Sequence, residues 1–125
     1  MATAAAGSLI FAAGGTMNRI PGELEGDGRV RVLDSTLPIK GDRPDGPLDV
    51  LIRPEELRIA AQPHGNGIVT IATFLGSITR VHALLSGDVA VQVDVPSPES
   101  AALAPGTSVR VSVAEAEVLV TGRRW

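Results

Sequence analysis

The chain has 125 residues and a formal net charge of −3, with 14 glycines, 9 prolines and no cysteine. That length suits one domain with a usable core, and the lack of thiols excludes a disulfide scaffold or a thiolate metal site. Phe11, Phe74 and Trp125 are the only aromatics, and no apolar run reaches the roughly 18 residues of a membrane span, so direct membrane insertion is not expected.

Residues 1–13 are small and apolar, but no basic segment precedes them, so the chain reads as cytoplasmic, without a secretory leader. Beyond them, apolar and polar residues alternate with a period of two, the pattern of half-buried strands. Strands are expected at 8–12, 17–24, 28–33, 36–40, 48–53, 57–61, 67–75, 77–85, 88–95, 108–113 and 117–121. Turn-forming clusters separate them at 26–28, 41–46, 65–67, 86–88 and 105–107. The segment GIVTIATFL at 67–75 is apolar on both faces, as in a central strand, and Val91 and Val111 are expected to point inward. One short helical segment is expected at 97–103, with Ser97 as N-cap, Pro98 at the first position and Glu99 in the first turn. The fold class is all-β, a small barrel.

A Pro and Gly loop at 41–47 divides this single domain into a first strand group, 1–40, and a main part, 48–125. A shift of 61 residues aligns Gly15 with Gly76, Arg19 with Arg80, Leu24 with Leu85, Val30 with Val91 and Val32 with Val93. A repeated strand–turn–strand unit accounts for that match. In the middle lies an abrupt joint, Arg53, Pro54, Glu55 and Glu56. Pro54 cannot donate to a ladder, and carboxylates suit the first turn of a short helix, so a strand ends there and another begins after one acidic turn.

Signatures of catalysis are missing. There is no phosphate loop of the G-x-x-x-x-G-K-[ST] type, and Lys40 is the only lysine. No G-x-S-x-G elbow frames Ser77 or Ser86. His64 and His82 are read as exposed loop or strand residues rather than metal ligands, and Asp42 and Asp45 as solvated loop charges. No metal, cofactor or catalytic residue is expected. Few aromatics and an acidic balance also argue against nucleic acid, whose readers need stacking platforms and basic grooves.

The order of several short motifs carries more information. Arg53, Pro54 and Glu55 follow a strand; Gly67 and Val69 open the next long one; Phe74, Leu75 and Gly76 lead to a strand carrying Arg80; Pro105, Gly106 and Val109 come later. Across residues 9–121 this resembles the C-terminal TOBE (transport-associated OB) domain of ABC-transporter ATP-binding subunits. The resemblance implies an OB-fold-like, Mop-like barrel that acts as a regulatory and dimerisation module. Its implied partners are a second copy, the ABC ATPase domain and, through it, the transporter's membrane subunits. The ATPase domain itself is absent from this chain. On this reading the Arg53–Pro54–Glu55 motif sets a chain reversal, Phe74 and Leu75 are core side chains before a turn that needs Gly76, and Arg19 and Arg80 are surface charges. An alternative function is oxyanion binding of the Mop (molybdate-binding) type, to which Thr16, Asn18 and Gly22 would contribute through hydroxyl and backbone groups.

Overall fold

The computed structural model describes residues 9–12, 15–26, 28–41, 44–114 and 116–122, of which 9–12, 15 and 16 are described by their backbone only. Alternation gives strands wherever a valine or isoleucine row can face a partner: β1 (Leu9–Ala12), β2 (Gly15–Leu24), β3 (Arg29–Val32), β4 (Ser35–Pro38), β5 (Leu48–Ile52), β6 (Leu57–Ala61), β7 (Gly67–Phe74), β8 (Ile78–Leu85), β9 (Val89–Pro96), β10 (Ser108–Val113) and β11 (Leu119–Gly122). Short 3₁₀ turns occupy Pro54–Glu56 and Ser97–Ala102.

The strands form two antiparallel sheets. The first runs β11-β5-β2-β3-β4 with β1 also on β2, and the second runs β6-β10-β7-β8-β9. They share one core, in which Val30, Val50 and Ile52 of the first sheet join Val81, Val93 and Val109 of the second. Val91 and Val111 are buried in it as expected. The architecture is all-β and OB-like, but the ladders do not close into the expected barrel.

Two devices hold the sheets together. The first is the 3₁₀ turn 54–56. The Arg53 N–H donates to Glu56 Oε1 at 2.9 Å, and the Glu56 N–H donates to the Arg53 carbonyl at 2.9 Å, a reciprocal lock around buried Pro54. The turn is therefore not a reversal within a sheet: it carries the chain from β5 in the first sheet to β6 in the second. The second device is Asn18 on β2, which is 0% exposed. Its Nδ2 donates to the Gln92 carbonyl at 2.8 Å and its Oδ1 accepts from the Gln92 N–H at 2.7 Å. One carboxamide thus does for the edge of β9 what a neighbouring strand would do. Asn66 repeats the device beside β10, spanning the Val111 carbonyl at 2.8 Å and N–H at 2.7 Å.

The loop around 41–47 does not separate the sheets, because β5 beyond it pairs with β2 and β11 returns to pair with β5. The two hairpins of the proposed repeat fall in different sheets with different registers. Leu24 faces Val30, whereas Leu85 faces Val89 rather than Val91, the counterpart of Val30. A slip of two residues keeps every side chain on its face, so the valines stay buried in both.

Asn18→Ala leaves the Gln92 N–H and C=O buried without partners, and is expected to cost about 2–4 kcal/mol and lower the melting midpoint by on the order of 10 °C. Chemical denaturation measures it directly. A loss below about 1 kcal/mol would mean that apolar packing alone closes this seam.

Candidate functional site

The outer face of β8 collects the charged residues of the sequence motif. Counting back from the Ser86, Gly87 and Asp88 turn places Asp94 on β9 directly opposite Arg80. The guanidinium grips that carboxylate with both arms, Nε to Oδ1 at 2.8 Å and Nη2 to Oδ2 at 2.9 Å. This side-on geometry is the strong form of the pair. The hydrogen bond to Asp94 holds the Arg80 pKa above its usual value, against the opposing effect of burial, with help from the charges of Asp94 and of Glu55 on the 54–56 turn. Glu55 and Arg80, far apart in sequence, thus act on one electrostatic cluster. Arg53 points into solvent.

Arg19, the counterpart of Arg80 in the first sheet, is also paired within the chain. Its Nε donates to Asp49 Oδ2 at 2.8 Å and its Nη2 to the Gly122 carbonyl at 2.8 Å, tying β2 to β5 and β11. Both arginines, expected as surface charges, are partly exposed and paired within the chain. Their acidic partners Asp49 and Asp94 were missed because both sit at positions that alternation assigns to solvent. The hairpin register would have found Asp94.

Of the expected oxyanion residues, Asn18 and Gly22 have other roles among the described residues. The Asn18 carboxamide is sealed in the core on Gln92. Gly22 is required by packing, since a Cβ there would lie 2.7 Å from Val50 Cγ2 and 2.8 Å from Val30 Cγ2. The side chain of Thr16, like Gly14 and Asp42, lies outside the described residues.

The largest departure from the sequence reading is the β7–β8 hairpin. Phe74 and Leu75, expected in the core, are 73% and 55% exposed, and Ile68, Ile71, Ile78 and Leu84 are also exposed. The reason is the length of β10. It pairs with β7 only at Gly67 and Ile68, and the loop before it adds the Val69 N–H to Thr107 O and Gly106 N–H to Val69 O bonds. A bulge at Thr70 follows, and the rest of β7 projects past β10 as a ribbon with β8 alone. Gly76 does what was expected of it. With φ of +96° it occupies the first position of a two-residue turn, the type II′ arrangement, and the Leu75 N–H donates to Ile78 O at 2.8 Å. Gly106 likewise takes a positive φ, +92°, in the turn after Pro105.

An open cleft of about 670 Å³ lies between β2, the Leu33 and Asp34 turn, and the Ser86 and Gly87 turn. Ion pairs of Arg31 with Glu23 and Glu25, and of Arg110 with Asp34, stand at or near its rim, so its charges are already matched. Among the described residues, no three His, Cys, Asp or Glu side chains gather where they could hold a metal, and no helix is long and apolar enough to cross a membrane.

With the joint at 54–56, the Gly76 turn, Arg80 and the Gly106 turn on one scaffold, the comparison with known families is decisive: the model of the TOBE domain matches residues 50–120. The chain belongs to the TOBE domain family. No curated protein matches it. The matched span starts in β5 and ends in β11, so it includes the whole second sheet and every motif residue from Arg53 to Gly106. The TOBE domain is a regulatory or binding module of proteins of the ABC-transporter type.

His82, one pair along from Arg80, offers a pH test of this face. Burial, then the nearby Arg80 charge, push its pKa below the ordinary value, with Asp94 opposing. The unfolded chain therefore takes up this proton more readily than the folded one. The His82 contribution to stability is complete above about pH 6.5 and is lost as pH falls through the lower folded value. Urea unfolding of wild type and His82→Gln from neutral pH down to about pH 5 is expected to give a shallower decline for the variant. Parallel declines would show that His82 does not titrate in a perturbed environment.

Proposed function

We propose that this TOBE domain is a non-catalytic regulatory and dimerisation module of the ATP-binding subunit of an ABC importer. It works at the cytoplasmic face of the membrane through protein contacts. Membership of the family supports the setting. The observation that carries the contact role is the uncovered β7–β8 hairpin. Four large apolar side chains of this ribbon and its turn, Ile71, Phe74, Leu75 and Ile78, are exposed, and Ile68 and Leu84 are exposed at its base. Contiguous exposed apolar surface of this kind marks an interaction site far more often than scattered single residues do.

Four arginines, by contrast, are engaged within the domain. Arg19, Arg31, Arg80 and Arg110 each bind an acidic partner of the same chain. Such pairs shape and stiffen the scaffold, and the apolar hairpin is what it has to offer a partner. In the importer, that partner is a second TOBE domain, with the ATPase domain attached on the N-terminal side and the membrane subunits reached through it.

Two measurements test the reading. Sedimentation of the wild-type chain is expected to show self-association that grows with concentration. Calorimetry with Mg-ATP is expected to give no saturable heat. A strictly monomeric chain at every concentration would remove the dimerisation role, and saturable ATP binding would remove the non-catalytic one.

A further inference from the structure

The open edge of β7 has a definite hydrogen-bonding phase. Leu75 and Ile78 form a hydrogen-bonded pair across the Gly76 turn, so Thr73 with Arg80 and Ile71 with His82 are the other pairs whose main chains face each other. The main-chain N–H and C=O groups of Ala72 and Phe74 therefore point away from β8, and no strand lies on that side among the described residues. A row of unpaired groups on an uncharged, apolar edge is a template for another strand. Edge strands are ordinarily protected by lysine, proline or an inward charge. Residues 67–79 contain none of these.

We propose that the free edge of β7 pairs antiparallel with the same edge of a second copy, joining two second sheets across a two-fold axis at Thr73. This rests on the reading of the domain as a dimerisation module and specifies the surface. The register follows from the phase. Ala72 faces Phe74 of the second copy, and Phe74 its Ala72, because this is the register that engages the outward main-chain groups of both residues in both copies. Every pair this creates is complementary. The small Ala72 leaves room for the ring of the opposing Phe74, Ile71 meets Leu75, and Thr73 meets its own copy on the axis, a favourable cross-strand pair. The interface being isologous, it closes as a dimer rather than growing into a filament.

Charge points to the same occupant. Each chain carries a net charge of −3, so two copies repel except where their contact is neutral. The strip from 67 to 79 is free of ionisable side chains, and the nearest charges, Arg80 and Asp94, are already paired with each other. The strip is small beside the roughly 20–30 residues a side of a standard interface, so the main-chain ladder must supply much of the attraction and the dimer will depend on concentration.

The test uses cysteine, of which the chain has none. In a non-hydrogen-bonded antiparallel pair the Cα atoms lie about 4.5 Å apart, within the reach of a disulfide. Mild oxidation of Thr73→Cys is expected to yield a covalent dimer, and of Ile71→Cys to yield none, since residue 71 faces residue 75. Phe74→Lys, at a residue 73% exposed, is expected to keep the wild-type melting temperature measured in dilute solution and to lose the dimer in sedimentation. If the wild type dimerises but Phe74→Lys still does, or if Ile71→Cys cross-links in place of Thr73→Cys, the edge assignment is overturned while the dimerisation role stands. If the wild type never dimerises, both fall.

Discussion

Asn18 is the residue on which this architecture turns. The two sheets are joined covalently by the 54–56 turn and again between β10 and β11, but their ladders do not close. Where they would gape, the Asn18 carboxamide meets both main-chain groups of Gln92. A side chain can take this part because asparagine carries the same donor and acceptor as a peptide unit, in the same plane. In a site with no access to water the two bonds are worth most through what they prevent, two buried main-chain groups without partners. The barrel-like enclosure of the core by open sheets rests on that substitution.

Around this seam the arginines tie neighbouring elements together. Arg19 links β2 to both β5 and β11, and Arg80 clamps β8 to β9 while feeling the charge of Glu55 on the inter-sheet turn. The paired residues on each side are only partly exposed, so these contacts are screened less than surface ion pairs are. The scaffold is stiff where it is charged. The part that reaches out, the β7–β8 ribbon, is apolar and carries no charged residue between 67 and 79.

How far the sequence could be read depends on whether the governing physics is local. Period-two valines at 89–95 and 109–113 determine their own burial, so strand positions and the all-β class were legible. Pro54 ends a ladder by its own chemistry, so the joint was legible too, although not that it crosses between sheets. The turn at Leu33 and Asp34 was not. Both residues adopt positive φ, 47° and 66°, and although aspartate tolerates that region, leucine at the first turn position gives no sign of it. The exposure of Phe74 and Leu75 was hidden for a different reason. An apolar strand looks the same whether or not its neighbour is long enough to cover it, and the length of β10 is a tertiary fact. Asn18, likewise, became a seam residue through a partner 74 positions away.

That separation sets how the chain must fold. The contacts that define the tertiary structure span Asn18 to Gln92, Asp34 to Arg110 and Arg19 to Gly122, the last 103 positions apart. Folding rates fall as contacts become less local, because the entropy of closing a long loop is lost before the contact returns anything. A nascent chain can form the β2–β3 hairpin early, but the first sheet cannot take β11, nor the Arg19 side chain its last acceptor, until the end of β11 has been made. Until β9 supplies Gln92, the uncharged β7 edge is available before the seam has closed behind it. The same strip that we propose pairs with a twin is, during synthesis, an edge open to another unfinished chain.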